Sequence, residues 1–179
     1  MTMRLVAVVL PFLLAACGAG STAPEQRTFD LGLDAPGVRL PPVRVGAVRA
    51  VPPFDATDMQ YRLGYRNAAE ISAFANSRWA ATPAEMFRKQ LLRAAGEGAG
   101  NCAVEVEIQE FTQVFTAPAV SDARVDLRAS LRAGAARSLS VVEPNAGADA
   151  VSGAAALARA ANRAISELGG WIAAQPNCR

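Results

Sequence analysis

Three cysteines are the side chains of this 179-residue sequence best able to form new covalent bonds, and their settings differ. Cys17 closes the run Leu14-Ala15-Ala16-Cys17. Ahead of it, Arg4 supplies a positive charge, and Leu5 to Ala16 form a twelve-residue apolar stretch interrupted by Pro11. That stretch is too short to cross a bilayer as a helix, which takes about 20 apolar residues. It has the form of a secretory signal with small residues before its cleavage point. Leu-Ala-Ala-Cys matches a bacterial lipobox, in which the thiol takes a diacylglycerol and cleavage leaves the acylated cysteine as N-terminus. One acyl chain holds a protein only marginally, whereas two or three on one residue anchor it firmly. The alternative is an exported chain with a chance cysteine near its cleavage site. With Cys17 acylated, Cys102 and Cys178 are the two thiols left, and an oxidising compartment predicts a disulfide between them. Two unpaired thiols, one in a strand and one on the tail, are the other reading.

The chain has no histidine. The commonest general base, metal ligand and physiological-pH switch are therefore missing. Its one lysine, Lys89, falls on a predicted helix among charged neighbours. Ser72, Ser77 and Ser140 have no histidine partner, and no Ser-x-x-Lys occurs. Asp55 and Asp58 read as turn residues, since no dense array of oxygen ligands follows them. The expectation is a non-enzyme with no metal and no cofactor. Removing residues 1–16 from 179 leaves 163, and losing Arg4 takes the net charge from +2 to +1. That balance argues against nucleic acid and against electrostatic binding to anionic membranes. Hydrophobic residues at 51% are ample for one core.

The elements that must position these residues follow from periodicity. Residues 1–16 are the signal, 17–27 a lipidated N-terminus and flexible tether, and 28–179 one domain. The tether reaches at most about 35 Å when extended. Thr28 to Leu33 predicts a strand with Phe29, Leu31 and Leu33 on one face, and Val43 to Val48 a second, stopped before Pro52-Pro53. Residues 60–75 read as a hairpin, strands Gln60–Tyr65 and Ala69–Ala75 turning near Arg66-Asn67. Thr82-Pro83-Ala84-Glu85 is a capping box with proline at the first helical position, opening a helix that the glycines at 96–100 close. Val104, Val106 and Ile108 alternate with Glu105, Glu107 and Gln109. Val125, Leu127, Ala129 and Leu131 alternate with charged or polar residues. This predicts strands with one buried and one polar face, followed by a further strand over Arg137–Val142. Leu157, Ala161, Ile165, Leu168 and Ile172 form the apolar stripe of a final helix over 149–174. The sum is an α+β domain: an antiparallel or mixed sheet of five to seven strands with two helices packed on one face.

Within residues 61–92, Tyr-Arg-Leu-Gly-Tyr-Arg precedes Ala-Phe-Ala-Asn-Ser-Arg-Trp-Ala-Ala-Thr-Pro-Ala-Glu-Met-Phe and an amphipathic helix. This segment resembles the signature of the ABC-type transport auxiliary lipoproteins, the PqiC-like family. Phe74, Trp79, Pro83 and Glu85 stand at its landmarks. Glu110 to Phe115 resembles the next landmark, and the closing alanine-rich helix with Leu168 and Trp171 resembles the family's C-terminus. The likeness extends over nearly the whole mature chain. Gly169-Gly170 departs from it, where larger residues are expected, and predicts a frayed helix end. The Cys102/Cys178 pair is outside the pattern.

The resemblance implies a non-catalytic auxiliary or docking subunit of an MCE-type ABC lipid transport system. Its partner would be the MCE-domain protein that spans the periplasm between inner and outer membranes. Gly18 follows Cys17 without a retaining aspartate, so the anchor is expected in the outer membrane, periplasmic face. A second reading is a lipid-carrying lipoprotein with its ligand between sheet and helices; a third is an enzyme of envelope turnover, disfavoured by the missing histidine. Self-association stays open. Arg62, Arg66, Arg78 and Trp79 are the candidates for partner binding, tryptophan with arginine being the composition of interface hot spots. The alternative for Trp79 is a core plug beneath the capped helix. The polar sheet face either grips a partner or is simply solvated.

Overall fold

The computed structural model describes residues 25–33, 37, 39–95, 102–132, 134–145 and 147–178. The expected signal peptide, Cys17 and most of the expected tether lie outside the described residues. Seven strands form one mixed sheet: β1 (Arg27–Phe29), β2 (Val43–Ala50), β3 (Asp58–Leu63), β4 (Ser72–Trp79), β5 (Cys102–Ala117), β6 (Val120–Leu131) and β7 (Ala136–Asn145). Helices α1 (Gly64–Asn67), α2 (Pro83–Ala95) and α3 (Ala150–Ala173) complete the α+β domain, with a 3-10 turn over Pro176–Cys178.

The spatial order is β1-β4-β3-β5-β6-β7, with β2 also on β5. β5 is the axis. Its first half pairs in parallel with β2, Val43 opposite Cys102 and Ala50 opposite Ile108. Its second half pairs in parallel with β3, Leu63 opposite Phe115. β2 and β3 thus run as one interrupted strand along a single edge of β5. The interruption holds the cis Pro52–Pro53 bond, Val51 N–H donating to Ile108 O, and Phe54 turned into the core. Proline donates no ladder hydrogen bond, which is why pairing stops there. The other edge of β5 carries β6 and then β7, both antiparallel.

Both long helices cover one face of the sheet. Thr82 N–H donates to Glu85 Oε2 at 3.0 Å and Glu85 N–H to Thr82 Oγ1 at 3.3 Å, closing the capping box of α2. This hydrogen-bonding holds the Glu85 carboxyl below its ordinary range, the Thr82 backbone N–H acting first. Met86, Phe87, Leu91 and Ala94 of α2 are buried. Asp149 caps α3 by accepting from Ser152 N–H at 2.8 Å. Its carboxyl is likewise lowered, by that backbone bond, then by the Ser152 hydroxyl and nearby Arg27. Ala160, Ala161 and Ala164 are fully buried beside Leu157, Ile165, Leu168 and Ile172, and their small side chains let α3 lie close on β6 and β7.

Three expectations are corrected. The strand expected to Leu33 ends at Phe29: Asp30 Oδ1 accepts from Gly32 N–H at 2.8 Å, and Gly32 takes φ +83. That turn sends Leu31 inward and leaves Leu33 85% exposed, so they do not share a face. The strand expected over Ala69–Ala75 runs Ser72–Trp79 instead. Asn67 holds the chain in a turn beforehand, accepting from Ala69 N–H on its side chain and from Glu70 N–H on its carbonyl. Finally, Gly169-Gly170 does not break α3, which continues to Ala173. A Cβ at Gly169 would meet Leu40 Cδ2 at 2.8 Å, so the glycine makes room for the buried Leu40.

Candidate functional site

The face of the sheet opposite the long helices carries the polar half of every alternating strand. Along β6, Ala123, Val125, Leu127 and Ala129 are buried under the helices, while Asp122, Arg124, Asp126, Arg128 and Ser130 point the other way. The same parity puts Glu105 and Glu107 of β5, Ser138 and Ser140 of β7, Arg62 of β3 and Arg78 of β4 on this open face. Ile108 pairs with Leu127, but Glu110 with Asp126, so one extra β5 residue enters between them. The bulge flips the parity of β5 and turns Phe111, Gln113 and Phe115 to the helix side.

Two ion-pair groups organise the open face. Arg62 Nε donates to Glu110 Oε1 at 2.7 Å and Nη2 to Oε2 at 2.9 Å, a bidentate pair. Its Nη1 donates to Ala68 O at 3.1 Å, and Thr112 Oγ1 donates to Glu110 Oε1 at 2.6 Å. The side chains of Arg62 and Glu110 are only 18% and 14% exposed. On the neighbouring strands, Asp126 accepts from Arg124 Nε at 2.9 Å and Ser140 Oγ at 2.6 Å. Glu110 and Asp126 stand directly opposite each other. Each carboxylate therefore faces a like charge while its own arginine compensates it. Towards β2, Arg49, Glu107 and Arg128 fall in one cross-strand row. They line a shallow hollow of about 140 Å³ with Ala47, Glu105 and Ser130.

The residues singled out from the sequence separate into distinct environments. Arg78 and Arg66 are exposed, the first on the open face and the second on α1. Arg62 is spent inside the fold, clamping β3 to β5 and to the chain after α1. Trp79 takes the core-plug reading and is corrected as a partner-binding candidate: at 1% exposure it cannot meet a partner. Its ring stands edge-on to Phe111, centroids 5.5 Å apart, within the core below α2. It lies on the helix side because it alternates with Arg78. Cys102 and Cys178 are joined by a disulfide with Cα atoms 5.1 Å apart, fastening the start of β5 to the turn after α3.

Sequence reasoning missed the Arg62–Glu110 pair and an apolar end of the domain. At that end Tyr61 packs on Phe74 (4.7 Å) and edge-on to Phe115 (5.9 Å). Tyr65, Val120 and Val151 stay exposed nearby. The β5–β6 turn, Ala117-Pro118-Ala119-Val120, carries no polar side chain, which was a visible signal, since turns ordinarily draw on Gly, Asn, Asp and Ser.

No family model matches the chain, and no curated protein is matched by its sequence. Among solved structures the fold is similar to protein XCC0632 from Xanthomonas campestris, described as of family DUF330. That match has TM-score 0.64 and 20% identity, and covers 83% of this chain and 91% of that one. An uncharacterised protein is similar at TM-score 0.62 and 10% identity, covering 83% of this chain and 99% of its own. These likenesses establish the mixed α+β fold.

Proposed function

We propose that this chain is a lipid-anchored, non-catalytic docking subunit of an MCE-type ABC lipid transport system, held at the outer membrane by acylated Cys17. The observation that carries the reading is the uncovered polar face of the sheet. Seven strands build it, ion pairs order it, and neither long helix covers it. The helix face is filled by Trp79, Phe87, Phe111, Leu157 and Ile165, each at most 1% exposed. Side chains occupy the space that a lipid between sheet and helices would need. The landmark series Phe74, Trp79, Pro83 and Glu85 and the lipobox support the choice of partner.

The test is capture of the cognate MCE-domain protein by the full lipidated chain in detergent, without nucleotide. Arg78→Glu and Arg128→Glu reverse charge on the open face, and Arg66→Glu on α1. An arginine anchor at the centre of an interface costs at least about 2 kcal/mol when lost, roughly thirtyfold in affinity. We expect a loss of that order for at least one open-face variant. No capture by the wild type would refute the docking role, and undiminished capture by all three variants would refute the assigned face.

A further inference from the structure

The apolar end of the domain has a direction relative to the tether. β1 is parallel to β4, with Arg27 opposite Ser77, and β4 is antiparallel to β3, with Asp58 opposite Arg78. Arg27 is therefore level with the start of β3. Followed back towards its start, β1 heads the way β3 runs, towards Leu63, α1 and the β5–β6 turn. From the start of β3 to Leu63 is about 16–20 Å at strand spacing. The ten residues from 18 to 27 reach at most about 35 Å. An acyl group on Cys17 thus reaches past the α1 end without strain. The opposite end, where Cys102 begins β5, lies on the other side of Arg27 from the direction in which β1 is entered.

The end so addressed is built of groups that suit a lipid headgroup layer. Tyr65 is 43% exposed, Val120 51% and Val151 37%, three of the six large hydrophobic residues exposed in the described chain. Pro118 and Ala119 project with Val120 on the hairpin tip, and Arg66 lies exposed beside Tyr65. A tyrosine ring with an arginine, flanked by apolar residues, places an apolar body and polar tips at one level, as interfacial anchors do. Glu70, Asp122 and Asp149 share this end, so apolar insertion rather than net charge holds it. We infer that the α1 end, with Tyr65 and the Pro118–Val120 tip, rests in the headgroup layer of the bilayer that holds the lipid. The strands then stand away from the membrane, and the open face lies side-on to an approaching partner.

The inference rests on the acylation of Cys17 in the reading above, and its test separates the two. The full lipidated chain is reconstituted in phosphatidylethanolamine and phosphatidylglycerol vesicles whose acyl chains carry bromine. Val120→Trp and Tyr65→Trp report from the α1 end, and Arg132→Trp from the opposite end. Trp79 and Trp171, 1% and 8% exposed, give a constant background. The expected result is a blue shift and quenching of the added emission for Val120→Trp and Tyr65→Trp, with none for Arg132→Trp. A lipidated chain, verified by intact mass, whose Val120→Trp and Tyr65→Trp emission is unquenched overturns the orientation alone; quenching of Arg132→Trp instead reverses it. A chain of unmodified mass overturns the anchor and the orientation together. Contact at this end only after an MCE protein is added makes it a protein interface and also overturns the inference.

Discussion

Replacing both Cys102 and Cys178 by alanine tests how the domain is held together. The bridge joins the first residue of the central strand to the turn after α3, with Cα atoms 5.1 Å apart and both residues 5% exposed. The residues are 76 apart in sequence, and the closed loop contains β5, β6, β7 and α3. In the chain-entropy description, a loop of this length removes about 4.5 kcal/mol of freedom from the unfolded chain at 25 °C. For a domain of this size each kcal/mol moves Tm by roughly 2–4 °C, so the double variant should melt about 9–18 °C below the parent. The double substitution is chosen because a single one leaves a buried reactive thiol. Calorimetry under non-reducing conditions measures the difference, and peptide mapping without reductant establishes the bond in the parent. A shift below about 3 °C would mean that the bridge fastens only a tail that frays anyway, and would refute the reasoning. Alkylation of both thiols in the folded parent would refute it at its first step.

Further outcomes separate packing residues from surface residues. Trp79→Ala should cost about 3–5 kcal/mol through the cavity it leaves against Phe111, whereas Arg78→Glu, one residue away, should stay within about 0.5 kcal/mol in urea unfolding. Arg62→Met should cost about 1–3 kcal/mol, because it leaves Glu110 largely buried without its cation, and Glu110→Gln combined with it should restore part of the loss. Acid should destabilise through the two helix caps. Hydrogen bonds lower the Glu85 and Asp149 carboxyls in the folded chain, so their contribution is complete above the unfolded-state values and fades as pH falls through the folded ones. Tm measured from about pH 5 downward should therefore drop more steeply for the wild type than for Glu85→Gln with Asp149→Asn.

Much of the fold was legible because its signals are local. The capping box at Thr82 and Glu85 needs only four residues, and the alternation along β6 needs only β6. The same alternation told which side chains of β5 are buried, but only as far as Ile108. Beyond it the bulge reverses the parity, and no residue type at 109 or 110 announces the change. The parallel pairing of β2 and β3 with β5 was not legible for a related reason. Pro52-Pro53 marks the break in sequence, yet that both fragments line one edge of β5 depends on contacts more than fifty residues away. The glycines near the end of α3 misled because propensity counts only the helix itself, whereas Leu40 packs into the space that Gly169 leaves.

The arginines show where legibility of the site stops. Arg62, Arg66 and Arg78 look alike in the sequence, each a cation in or beside a short strand. What separates them is who stands opposite. Arg62 meets Glu110, 48 residues on, in bidentate geometry with the Ala68 carbonyl closing its third edge. Its guanidinium is used up before any partner arrives, and a charge reversal there would disturb the fold and mimic lost binding. Arg78 stands on the open face, exposed, one residue from a tryptophan that is fully enclosed. A strand's two-residue period thus divides the Arg-Trp pair between surface and core, and the pair cannot act as one hot spot. Any binding strength on this face has to come from arginines that the ion pairs leave accessible, Arg78 and Arg128 first. That is why those two, and not Arg62, are the variants on which the docking reading stands or falls.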